Sequence, residues 1–106
     1  MKAKQFDIYE ALKNKKRRAI LKELSKNPSG ALELMRKLGM GAGSFYHHIE
    51  RLGPLVTQLE DRRYALTELG RTVVRRMDSD LDKGYFVQSK ALRIFLLEPL
   101  LTSPPL

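Results

Sequence analysis

Between Phe6 and Leu24 the apolar side chains fall at helical spacing: Ile8 with Leu12, then Ile20 with Leu24, and Leu21 beside them. Asn14 stands between the two groups, and its short side chain can cap a new helix. The pattern predicts two helices, about 6–13 and 15–26. "NPSG" at 27–30 is turn chemistry and ends the second. A short helix is expected over 31–38, with Leu32, Met35 and Leu38 on one face and Arg36 and Lys37 outward. "GMG" (39–41) breaks it. The next helix carries Phe45, Ile49 and Leu52 at offsets 0, +4 and +7, a buried stripe that ends at "GP" (53–54).

The period then changes. "LVTQLE" and "RYALT", joined by Asp61 and Arg62, read as a small hairpin with Tyr64 and Leu66 facing inward. Thr67 is a natural cap for "TELGRTVVRRM", whose Leu69, Val73 and Met77 repeat every four residues. From about 85 to 97 the chain is strongly apolar again, and "TSPPL" is a tail because paired prolines cannot extend a helix. The expected fold class is mainly α with a small β-hairpin. The expected division is a compact unit over 1–78, an apolar helix over 79–101 and a tail at 102–106.

Composition narrows the picture. At 106 residues the chain has the size of one domain, and no apolar run approaches the roughly 20 residues that a bilayer requires. "MKAKQFDIYEALK" lacks the apolar core of a secretory signal, so a cytoplasmic location and no membrane partner are expected. The absence of Cys removes disulfides, thiolate metal sites and thiol catalysis together. Twenty Lys and Arg stand against twelve Asp and Glu, a net charge of +8. The excess is uneven: residues 1–30 hold nine cations against three acids, whereas 31–60 balance at three and three. Clustered cations gain free energy by releasing counterions from phosphates, which points to nucleic acid.

The stretch "GMGAGSFYHHIERL" concentrates the candidate chemistry. His47 and His48 are neighbours, splayed about 100° around a helix axis, whereas histidines that share a metal sit at i, i+4. They are the only histidines, and no nucleophile or carboxylate pair accompanies them. "GMGAG" follows a helix rather than a strand and matches no nucleotide loop. No metal, cofactor or enzymatic activity is expected. With Phe45, Ile49 and Leu52 buried, the outward face carries Ser44, Tyr46, His47, Glu50 and Arg51, with His48 nearer the buried edge. A short helix, a tight turn and this helix have the shape of a helix-turn-helix, whose second helix enters the major groove. Gly43, with Gly41 and Ala42, offers backbone N–H groups rather than side chains. The hairpin turn presents Arg62 and Arg63, which can lie along a phosphate backbone or in an A·T minor groove. Lys15, Lys16, Arg17 and Arg18 are expected near flanking phosphates, with Arg17 also placed for helix packing or an ion pair.

"LKNKKRRAILKEL", "ALELMRKLGMGAGSFYHHIERL" and "LVTQLEDRRYALTELGR" together resemble the winged helix-turn-helix transcription regulators, closest to the ArsR-like group of archaea and bacteria. The resemblance covers about residues 6–78. Its most specific pieces are Tyr46, His48, Ile49 and Leu52 and the string from Arg63 to Gly70; Arg17, Ile20 and Leu21 fall at the family's R-x-x-I-L. It implies a DNA-binding domain, usually homodimeric, that represses or activates promoters. Metal sensing is not carried over, because the sensing members use cysteines and this chain has none. The link "LGPLV" is also shorter than the family's common form. The apolar run beyond Leu81 exceeds what one face of a surface helix exposes. It is expected to dimerise through Tyr85, Phe86, Leu92, Phe95 and Leu96, with a helix folded onto its own core as the alternative. The alternatives to a transcription regulator are a sequence-tolerant chromatin or nucleoid-type protein and a protein-interaction winged helix.

Overall fold

A computed structural model of the chain describes residues 6–81, with side-chain surroundings through residue 76. Asp7 caps α1 (Ile8–Leu12), its carboxylate accepting from the Tyr9 and Glu10 amides. Asn14 caps α2 (Lys15–Lys26), accepting from Lys16 N–H at 2.8 Å and Arg17 N–H at 3.1 Å. Arg18 closes the break between them, its guanidinium donating to the carbonyls of Leu12 and Lys13, both at 3.0 Å. Those carbonyls belong to the end of α1, where intrahelical donors run out. Arg18 therefore joins two helices through one guanidinium nitrogen.

In α3 (Ala31–Leu38) the observed face differs from the expected one. Leu34 is fully buried, Met35 and Leu38 are half-buried, and Leu32 is 60% exposed. Ala31, Leu34, Met35 and Leu38 make the 0, +3, +4, +7 stripe of an amphipathic helix, so the helix turns that face inward and leaves Leu32 out. Gly39 ends α3 at φ 63°, a left-handed cap that glycine adopts without a Cβ penalty. The chain turns there into α4 (Ala42–Leu52), then a 3-10 turn (Gly53–Leu55).

Strands β1 (Val56–Gln58) and β2 (Tyr64–Leu66) pair antiparallel, with Val56 opposite Leu66 and Gln58 opposite Tyr64. They are shorter than the alternation suggests. Arg62 adopts φ 73°, its N–H turns back to Leu59 O at 2.9 Å, and its own carbonyl accepts from the Gln58 amide. The five residues 59–63 thus form the connection. On its other edge β2 exchanges two hydrogen bonds with Ser29: Ser29 N–H to Tyr64 O at 3.0 Å and Tyr64 N–H to Ser29 O at 2.8 Å. Tyr64 and Leu66 face the core as expected.

Helix α5 (Glu68–Leu81) runs past the expected domain boundary at 78. Thr67 caps it, accepting from Gly70 N–H at 3.0 Å while its hydroxyl donates to Pro54 O at 2.7 Å. Val73 and Val74 are buried, but Leu69 is at the surface, because Gly70 rather than Leu69 lies against the 3-10 turn. The side chain of Met77 lies outside the described ones. Ile8, Leu12, Ile20, Leu21, Leu34, Phe45, Leu52, Leu55 and Val73 form the fully buried centre of one continuous core. Among the described residues no helix is long and apolar enough to cross a membrane.

A Cβ on Gly70 would run into the carbonyl oxygen of Leu55, which is backbone and itself accepts from Thr67 N–H. Gly70→Ala is expected to destabilise the fold by roughly 2 kcal/mol, within the usual range for overpacking. A urea midpoint that does not move, at unchanged slope, would contradict that close approach.

Candidate nucleic-acid interface

Helix α4 divides its side chains as a half-buried helix should. Phe45, His48 and Leu52 are buried and Ile49 half-buried, whereas Ser44, Tyr46, His47, Glu50 and Arg51 are exposed. Phe45 anchors this arrangement, meeting the Tyr64 ring edge-on at 5.6 Å and the Tyr46 ring at 5.1 Å. The hairpin is thereby seated against the first half of α4, and Tyr46 keeps 51% of its surface open. Burial, and then Tyr46, pushes the Tyr64 phenol above its ordinary pKa. The two histidines separate as their positions require: their rings lie 5.6 Å apart, His47 exposed and His48 8% exposed.

The cation run at the start of α2 separates too. Lys15 and Lys16 are exposed, but Arg17 is 8% exposed and cannot lie along a phosphate as expected. The reason is periodicity: Arg17, Ile20, Leu21 and Leu24 occupy one 0, +3, +4, +7 stripe, all four buried. Burial, and then Arg51, lowers the pKa of the Arg17 guanidinium, with Glu10 opposing. The second half of α4, the first turn of α2 and α1 therefore meet around this side chain.

Ion pairs take up part of the surface charge. Lys13 pairs with Glu10 at 3.0 Å, Lys26 and Lys37 share Glu23 at 3.4 and 3.1 Å, and Arg63 pairs with Asp61 at 2.8 Å. Lys37 and Lys26 bonds hold the Glu23 carboxyl below its usual range, and Arg63 does the same for Asp61. Among the described residues, the side chains of Lys15, Lys16, Arg51 and Arg62 have no acidic partner. Of the two hairpin arginines, Arg62 is thus the free one and Arg63 is held in place. Arg36, on the outer face of α3, is another exposed cation without an acidic partner that the sequence reading placed outward but gave no role.

Helix capping differs between the elements, and the start of α4 is bare as its glycines suggest. Side chains cap α1, α2 and α5 through Asp7, Asn14 and Thr67. Helices α3 and α4 begin at Gly30 and Gly41, with no side-chain cap. The tip of α4, Gly41 to Ser44 with Gly43 inside it, is exposed throughout. The sequence signal is the lack of Ser, Thr, Asp or Asn at these two positions.

Among the described residues no group of three or more His, Cys, Asp or Glu side chains could hold a metal ion. The expected dimer contacts Tyr85, Phe86, Leu92, Phe95 and Leu96 lie outside the described residues. Scans against protein-family models and searches of curated proteins and of solved structures find no match to this chain.

A Cβ built on Gly43 meets nothing within 4 Å, so the fold does not demand glycine there. Gly43→Ala is expected to stabilise the protein by up to about 1 kcal/mol through helix propensity. Thermal unfolding checks it, and a lowered midpoint would show a backbone requirement at that position.

Proposed function

We propose that α3, the turn at 39–41 and α4 form a helix-turn-helix, that the 56–66 hairpin is its wing, and that the chain is a DNA-binding transcription regulator acting as a homodimer. One observation carries this reading: an exposed polar face on α4 accompanied by cations without acidic partners on α2, α4 and the hairpin. Unneutralised cations on several elements match the charge of a phosphate backbone, and each phosphate they neutralise releases counterions.

In this reading Ser44, Tyr46, His47 and Arg51 reach base edges from the major groove, where an arginine can bond guanine in bidentate fashion and an aromatic ring can meet a thymine methyl. Lys15 and Lys16 hold flanking phosphates, and Arg62 makes the wing contact. The exposed glycine-bearing tip favours a second reading, a sequence-tolerant nucleoid-type protein. Amides at the start of α4 recognise phosphate, which every sequence supplies.

Duplex selection from a random pool, followed by titration of the selected and random duplexes at fixed salt, separates the two readings. For a regulator, Arg51→Ala costs about 1–3 kcal/mol on the selected duplex and much less on random DNA. Lys16→Ala weakens both equally and reduces the salt slope by about 1. Equal losses from Arg51→Ala on both duplexes would favour the sequence-tolerant protein, and no duplex binding at low salt would end both readings.

A further inference from the structure

Two polar residues occupy core positions on the facing helices α2 and α4. Arg17 stands in the stripe Arg17, Ile20, Leu21, Leu24, and His48 in the stripe Phe45, His48, Ile49, Leu52. Each is 8% exposed, and each has one buried nitrogen without a hydrogen-bond partner, Nε of Arg17 and Nδ1 of His48. Their chemistries are complementary. A guanidinium Nε–H can only donate, whereas a neutral imidazole with its proton on Nε2 offers Nδ1 as an acceptor. A protonated imidazole has two donors and no acceptor, and it would add a second positive charge beside a buried guanidinium.

We propose that His48 is a positioning residue whose neutral imidazole seats α4 on α2 against Arg17, and whose protonation loosens α4 and weakens duplex binding in acid. The binding clause rests on the DNA-binding reading; the seating of α4 does not. The surroundings reinforce the effect. Arg17 and Lys16 act on the imidazole from α2, and His47 from its own helix, all in the same direction. The acid nearest in effect is Glu10 of α1, which acts on Arg17 against Arg51 of α4 and is already paired with Lys13.

Burial first, and then these cations, hold the His48 pKa below its ordinary 6.5. The unfolded chain therefore binds more protons as pH falls through 6.5. The stabilisation from neutral His48 is complete above that value and is lost on acidification below it. Glu23 and Asp61 have depressed carboxyl pKa values, so their losses come at much lower pH. Acid also raises the net positive charge, which by itself tightens DNA binding. A loss of binding near pH 5.5 thus runs against the general electrostatic trend.

The test uses a His47→Gln background, so that His48 is the one titrating imidazole. Thermal unfolding without DNA and duplex binding by fluorescence anisotropy are measured at about pH 7.5 and 5.5 and constant ionic strength, in the range where unperturbed histidine titrates. The background protein is expected to lose about 5 °C in Tm and about tenfold in affinity on acidification. His48→Gln, neutral at both pH values, should be flat in both. Arg17→Met keeps the imidazole and removes the opposing charge, so its acid loss should shrink; this arm decides if His48→Gln does not fold. A background Tm that does not fall in acid, or variants as acid-sensitive as the background, overturns the proposal. Duplex binding of the unsubstituted protein is measured beside the background: if the Tm arm behaves as expected but the unsubstituted protein binds no duplex at either pH, the seating of α4 stands and the DNA-binding reading fails.

Discussion

The position of the hairpin depends on how its base is fastened. Two strands of three residues each cannot hold themselves together in water. The fastening lies at Thr67, which donates its hydroxyl to Pro54, donates its amide to Leu55 and accepts from Gly70. Gly70 brings the α5 backbone onto the same Leu55 carbonyl. Residues 54–55 and 67–70 are thereby clamped, and the chain between them has to leave and return at one point. Ser29, bonded twice to Tyr64, fixes the second edge, and the Phe45–Tyr64 ring contact ties the ribbon to α4. The orientation of α4 and that of the hairpin follow from one set of contacts.

The charges follow a different logic. Exposed ion pairs such as Lys13–Glu10 and Lys26–Glu23 contribute little to stability because water screens both partners. Their effect is on the surface potential: they neutralise part of α2 and α3 and leave Lys15, Lys16, Arg36, Arg51, Arg62, Arg71, Arg75 and Arg76 without an acidic partner among the described residues. Uncompensated cations thus lie on α2, α3, α4, the hairpin and α5, a surface that attracts anions broadly.

Much of the architecture was legible because caps and periods agree. Asn14 and the stripe behind it set the start and length of α2, and Thr67 set the start of α5. Errors arose where two apolar patterns compete. In α3, Leu32 and Leu34 are equal in hydrophobicity, and only the wider stripe with Ala31 and Met35 selects Leu34. In "KKRR" the four adjacent cations were all expected near phosphates, with packing as a second role for Arg17, although successive residues turn by about 100° and four in a row span the whole helix circumference. The period carries Arg17 inward and Lys15 and Lys16 outward. Arg18 was illegible for another reason: its partners, the carbonyls of Leu12 and Lys13, are backbone groups freed by a break whose geometry the sequence does not encode.

Within the candidate site, the outward face of α4 was legible from the stripe, and its bare tip from Gly41, Ala42 and Gly43. A side-chain cap stabilises a helix by occupying N–H groups that would otherwise need water or a ligand. Helices α1, α2 and α5 have that cap; α3 and α4 do not. The difference does not come from backbone demands, since Gly30 and Gly41 have ordinary negative φ values and a Cβ on either would meet nothing within 4 Å. A serine or aspartate would fit both positions and serve the helix better, but it would also occupy the amides and, if acidic, repel a phosphate. Glycine at both positions costs the helices only a few tenths of a kcal/mol relative to a capping side chain and leaves their first amides open to water or to an anion.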